Sequence, residues 1–230
     1  MNGHQTYDGK DYIETMHRKN HGMDQLKDLS LSRRHLLLGA GAATLFPTKL
    51  IAAPSPTVSA VPKPLMQRAI AAMERHRGSL TNFDRIAIAD FSRPSRSPRF
   101  HIVDMVSGKS NTLLVAHGRG SDPAHKGWLE RFSNEDGSNA SSSGAYATGD
   151  IYVGQHGRSR RLQGLEPTNS NAERRAIVIH AAAYVSPNIA AMQGKLGRSQ
   201  GCFAFSSSDI DDVLEALGPG RLLYADRLSA

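Results

Sequence analysis

Ala176-Ile177-Val178-Ile179-His180 and Gly197-Arg198-Ser199-Gln200-Gly201-Cys202-Phe203-Ala204-Phe205, whose cysteine lies twenty-two residues beyond that histidine, form the stretch around which the chain is organised. The apolar run 176–179 predicts a buried strand, and His180 ends it. Cys202 is the single cysteine of the chain. It follows a tight polar turn and precedes a second apolar run. A lone thiol and a strand-end imidazole, each flanked by rigid apolar sequence, point to a nucleophile and its base.

The 230 residues suffice for one domain with additional segments, and the apolar residues cluster in short runs after position 60. The formal charge is +7. Setting aside residues 1–53 leaves 21 basic against 16 acidic residues, still a moderate excess. Such a balance suits either solubility or an anionic partner. The basic residues are scattered and do not alternate with aromatics, which argues against nucleic acid.

Ser32-Arg33-Arg34-His35-Leu36-Leu37-Leu38 opens an apolar stretch reaching Ile51, and Ala52-Ala53-Pro54 closes it. Adjacent arginines ahead of a modest apolar core are the mark of a twin-arginine export signal, expected over 1–53, with an uncleaved interfacial anchor as the alternative. Gly39, Gly41, Pro47 and Lys49 break the stretch too often for a stable membrane span. The expected location is therefore the periplasm or cell envelope. One cysteine cannot form an internal disulfide, so in an oxidising compartment it is either buried and inert or in use.

Residues 54–64 are a Pro-rich linker, and 65–77 predicts a short amphipathic helix; together 54–83 precede a domain expected over 84–230. Within that domain strands are expected at 85–91, 100–106, 111–116, 146–154, 161–165, 176–179 and 221–225, with a hairpin turn at 107–110. A helix begins near Ser206 and ends at Gly218. The fold class is mainly β, of α+β type, with short flanking helices. The Ser-, Asn- and Gly-rich residues 131–145 read as a loop without calcium-loop spacing. The turn 117–123 lacks the Gly-Lys-Ser/Thr end of a phosphate loop.

The thiolate is the nucleophilic form of cysteine, and either Arg198 or His180 can favour it if folding brings them close. Gly201 lets backbone approach a reacting carbonyl. Amides of the 199–202 turn can form an oxyanion hole, and the Ser199 hydroxyl can orient substrate. This set suits acyl transfer through a thioester. His117, His125, His156 and His180 offer metal ligands, but none forms His-Glu-x-x-His and no second cysteine pairs with Cys202. No metal and no cofactor is expected. His117 and His156, each beside a turn glycine, fit either a backbone cap or a site wall.

Val178-Ile179-His180-Ala181-Ala182-Ala183-Tyr184, Gly197-Arg198-Ser199-Gln200-Gly201-Cys202-Phe203-Ala204 and Gly154-Gln155-His156-Gly157-Arg158-Ser159 together resemble the L,D-transpeptidase catalytic domain of the YkuD type, in its murein L,D-transpeptidase branch. The resemblance spans residues 84–227. It implies a β-sandwich of mixed sheets with Cys202 as nucleophile and His180 as base in one cleft. It further implies that Arg198, Ser199, Gly201, His156 and Ser159 line that cleft. The implied substrate is the peptidoglycan stem peptide, acylating Cys202 at its third residue and releasing D-alanine, with an amine or water as acceptor. An L,D-carboxypeptidase and a catalytically silent wall-binding module are the alternatives. The chain departs from the wider family at Gln200, where histidine is common, and at Ala204, where arginine or asparagine is common; both bear on acceptor choice.

Overall fold

The first strand, Arg85–Asp90, is buried on both faces and shows how the layers are arranged. Ile86 and Ile88 face one apolar cluster, while Ala87 and Ala89 face another on the opposite side of the sheet. The computed structural model describes residues 61–228. The twin-arginine leader, the possible anchor and most of the Pro-rich linker lie outside the described residues. Among the described residues no helix is long and apolar enough to cross a membrane.

Helix α1 (Lys63–Arg75) has a proline in its first turn, where no intrahelical N–H is needed. Leu65, Ala69, Ala72 and Met73 recur at helical spacing and are buried against strands β1 (Arg85–Asp90), β4 (Gly144–Gly154) and β8 (Leu222–Asp226). On the other face, Ile210, Val213 and Leu214 of α3 (Ile210–Ala216) join the larger core. The remaining strands are β2 (Phe100–Asp104), β3 (Ser110–Leu113), β5 (Gly157–Gly164), β6 (Val178–Ala181) and β7 (Phe203–Phe205). A further helix, α2 (Pro187–Gln193), lies between β6 and β7 in sequence.

The eight strands of the described residues belong to one mixed sheet in the order β3-β2-β1-β8-β4-β5-β6-β7. The sandwich-like layering arises because this sheet curls. Phe100 on β2 and Phe205 on β7, far apart in strand order, meet edge to face with ring centroids 4.7 Å apart. Beyond β3 the chain reaches β7 itself, where Ala116 N–H donates to the Ala204 carbonyl at 2.9 Å. Regular pairing thus runs across the sheet, and a short seam at 116–118 joins its two ends.

Two local features aim this scaffold at the cleft. The β4 register shifts between Thr148 and Ile151, which bends the outer half of the β4–β5 hairpin. The β6–β7 pair is parallel, so its connection must be a long crossover; α2 lies within it. That helix starts with the Ser186 hydroxyl accepting from Ile189 N–H and ends at Gly194 in the left-handed region, φ 67°.

Candidate active site

His180 stands on β6 opposite Ser159 of β5 and opposite Ala204 of β7. Cys202 lies two residues before Ala204, hence about 6–7 Å along the neighbouring strand direction. Parallel pairing of two short strands is therefore enough to bring a histidine and a cysteine twenty-two residues apart to one rim of the sheet. Both line a cleft of about 290 Å³ together with Tyr152, His156, Arg175 and Arg198.

His180 is buried, and its Nδ1 lies 2.8 Å from the Ala181 carbonyl. A carbonyl oxygen only accepts, so Nδ1 carries the proton and the Nε2 lone pair is available. Burial lowers the His180 pKa below its ordinary value; the Ala181 contact opposes this, and His156 adds to the lowering. His156, at the tip of the β4–β5 hairpin, stacks on His180 with centroids 4.2 Å apart and planes 19° apart. The imidazole is thus neutral near pH 7 and held on two sides.

Cys202 is half-buried, and its Sγ–H donates to the Ala176 carbonyl at 3.5 Å. Ala176 itself has φ 52°, a strained value for a residue with a Cβ. Burial pushes the Cys202 thiol up; the Val178 N–H and the charge of Arg175 pull against it. The resting pair is a neutral thiol and a neutral imidazole lining one cleft, which suits general-base activation of the thiol.

The cysteine turn is held by irregular backbone. Ser199 N–H donates to the His117 carbonyl and Arg119 N–H to the Ser199 carbonyl, at 2.9 and 2.8 Å. The Ser199 hydroxyl donates to the Cys202 carbonyl at 2.7 Å and accepts from Gly201 N–H at 3.1 Å. Gly201 has φ 121°, and a Cβ there would lie 2.8 Å from the Ala140 carbonyl. Ser141 closes the other side, donating to the Gly201 carbonyl and accepting from Gly118 N–H.

A buried polar group underlies this turn. Arg99, fully buried, donates to the Val115 and Arg93 carbonyls and to His117 Nδ1 at 2.7 Å. Guanidinium has no acceptor, so His117 carries its proton on Nε2, which faces Asp122 Oδ2 at 3.5 Å. Burial and the Arg99 charge push His117 down to about 3. Burial would raise Asp122, but the amides of Lys126 and Gly127 hold it below the ordinary carboxylate value.

The sequence-predicted residues fall into two groups. Cys202, His180, His156, Arg198 and Ser199 line the cleft. Three roles differ from expectation. The Ser199 hydroxyl serves the turn itself, because both its partners are backbone of 201–202. Ser159 is buried, donates to the Gly157 carbonyl at 3.2 Å and does not line the cleft. Arg198 donates to the Asp122 and Pro123 carbonyls, and the cation that lowers the Cys202 pKa is Arg175. With the Ser199 and Gly201 amides engaged, Gln200 and Cys202 remain the turn's candidates for an oxyanion donor. His117 belongs to the buried network. Arg175, Tyr152 and Tyr184 are wall residues that sequence patterning missed; the Arg174-Arg175 pair at the entry to a buried strand is the one available signal. Among the described residues no group of three or more His, Cys, Asp or Glu side chains converges as metal ligands.

Residues 58–225 match the family model for the L,D-transpeptidase catalytic domain. No curated protein matches the chain. Among solved structures, an L,D-transpeptidase from Mycobacterium smegmatis is similar at 10% identity, over 62% of this chain and 58% of that one, with a TM-score of 0.37. The L,D-transpeptidase (residues 123–326) from Xylanimonas cellulosilytica is similar at 12% identity over 68% of each chain, TM-score 0.37. L,D-transpeptidase 3 from Mycobacterium tuberculosis, in complex with a faropenem-derived adduct, is similar at 13% identity over 62% and 60%, TM-score 0.39. The chain spans just under three fifths of the length of the first of these. The match over most of the described residues places this chain in the L,D-transpeptidase catalytic domain family.

Proposed function

We propose that the chain is an exported cysteine acyltransferase acting on peptidoglycan stem peptides. The observation that carries this reading is the shared cleft of Cys202 and His180, with His180 Nδ1–H fixed on the Ala181 carbonyl and Nε2 left as a base. Cys202 Sγ attacks the carbonyl of the third stem residue, a diamino acid, while its proton passes to His180 Nε2. The amide bond to the terminal D-alanine breaks, and His180 returns the proton to the departing amine. A thioester remains on Cys202. An amine from a second stem then attacks, forms the new amide and frees the thiol. Arg198, on the cleft wall, suits the carboxylates of such a substrate.

Mature protein incubated with disaccharide-tetrapeptide and followed by mass spectrometry tests the reading. Cross-linked dimers are expected; tripeptide alone would assign an L,D-carboxypeptidase, and unchanged but bound substrate would assign a wall-binding module. Cys202→Ala removes the acyl-enzyme adduct, and turnover retained in that variant refutes the nucleophile assignment. His180→Ala slows acylation strongly, by about 10²–10⁴-fold for loss of a general base. For export, changing both Arg33 and Arg34 to Lys blocks passage to the envelope if the leader is of twin-arginine type; unaltered export rejects that assignment.

A further inference from the structure

Arg175 is absent from any motif, yet it occupies the cleft wall beside the cysteine. A Cβ built on Gly201 would lie 3.2 Å from Arg175 Nη2, so the guanidinium packs against the backbone of the cysteine turn. Its terminal nitrogens are fully engaged by the protein. Nη1 donates to the Ser133 carbonyl and the Ser142 hydroxyl, at 2.8 and 2.7 Å. Nη2 donates to the Ser138 hydroxyl, at 3.2 Å, and to the Ala140 carbonyl. Each terminal nitrogen has two hydrogens, and each makes two such bonds. A guanidinium so held offers a substrate little terminal hydrogen bonding, but it presents a fixed positive charge in a partly desolvated wall.

We propose that Arg175, clamped by the Ser-rich residues 133–142, is the fixed cation that stabilises negative charge on Cys202 Sγ through its field rather than through a hydrogen bond. This rests on the reading of Cys202 as nucleophile and adds the element that sets its charge. The sign agrees with the lowering influence of Arg175 on the thiol, against the raising effect of burial. Other titratable groups around the sulfur are Tyr146, Tyr152, Tyr184, His156, His180 and Arg198. Arg175 is the charged side chain that pulls the thiol down, beside the Val178 and Cys202 N–H groups, and Asp136 faces Arg175 itself.

Cys202 is the only cysteine, so alkylation by iodoacetamide reports this thiol alone. The rate is followed against pH in the mature chain. Arg175→Met is expected to raise the midpoint and to lower the rate near pH 7 by about tenfold, the effect of removing a close opposite charge. Arg175→Lys keeps the charge and is expected to stay within about twofold of the parent. An unchanged titration in folded Arg175→Met overturns the proposal, as does a loss in Arg175→Lys equal to that in Arg175→Met. Should Arg175→Met fail to fold, Ser142→Ala removes one anchor and is expected to give a smaller rise of the same sign; an unchanged midpoint there overturns it equally. Alkylation needs no peptide. An Arg175-dependent titration in a chain that never processes stem peptides would refute the peptidoglycan reading and leave this one standing.

Discussion

The two halves of the candidate site are held by opposite kinds of structure. His180 belongs to a strand with regular neighbours on both sides, Ser159 on β5 and Ala204 on β7. Regular sheet carries it, the His156 ring stacks on it, and one backbone carbonyl fixes its tautomer. Cys202 belongs to a turn held by two irregular segments, 116–122 and 138–142, through hydroxyls, carbonyls and buried charge. Ordinary β periodicity supports the base. The thiol depends on a polar lattice in which each member must find its partner. The difference implies that the histidine side tolerates single changes and the cysteine side does not.

That asymmetry can be broken experimentally, beginning where the loss is greatest. Asp122→Ala leaves Arg99 without one of its two carboxylate neighbours and strips partners from the Lys126 and Gly127 amides. It is expected to cost about 3–5 kcal/mol in urea unfolding, the range for removing one member of a buried charged group. A loss under about 1 kcal/mol would mean that the cysteine side is held otherwise. Gly201→Ala is expected to cost about 1–3 kcal/mol through backbone strain and to reduce turnover about 10²-fold by displacing Cys202. Turnover at the parent level would show that the turn accommodates a Cβ.

Acidification sharpens the comparison. His117 has a folded pKa near 3 against an ordinary 6.5, so below pH 6.5 the unfolded chain takes a proton that the folded chain refuses. Stability from this group is complete above pH 6.5 and drains away as pH falls toward 3. His117→Gln is expected to flatten that part of the slope in urea midpoints measured across the window; an identical slope in both proteins removes His117 as its source. For catalysis, the lowered pKa of His180 places the acid limb of kcat/KM below the ordinary histidine value. A limb at or above 6.5 contradicts the neutral imidazole. The smallest effect belongs to the sheet: Ser159→Ala, losing one bond to the Gly157 carbonyl, is expected to cost about 0.5–1.5 kcal/mol in urea unfolding, with kcat within a few fold.

The same contrast explains what could be read from the residues alone. Strands 85–90 and 178–181 announce themselves because alternating or continuous apolar residues are a local record of burial. His180 is legible as the residue ending such a run, and Cys202 as a singleton between a turn and another run. Helix α2 was not among the expected elements, although Ser186-Pro187, a cap followed by a first-turn proline, was its signal. The serines of 138–142 gave none. Their composition is that of a solvated loop, yet Ser141 and Ser142 are fully buried because their hydroxyls find partners far along the chain. Arg99 and His117 are similar: a buried arginine is interpretable only with its partners, and those partners lie 6–18 residues away without any period. Arg198, offered beside His180 as a residue that could favour the thiolate if the fold brought it close, shows the same dependence on partners. Proximity in sequence to Cys202 suggested it, and the fold turns its guanidinium to the 122–123 carbonyls.

The position of β8 has a consequence for how the chain becomes a protein. Strand β8, the last among the described residues, lies in the middle of the sheet, parallel to β1 and antiparallel to β4. Until synthesis reaches Asp226, the pieces β3-β2-β1 and β4-β5-β6-β7 share no strand between them. A nascent chain emerging from the ribosome therefore carries two open sheet edges along β1 and β4, both rich in apolar side chains, and closes them in one late, long-range step. Any chaperone that shields this polypeptide would be needed most in that interval, and truncations only a few residues short of Asp226 should yield aggregates rather than a smaller folded domain.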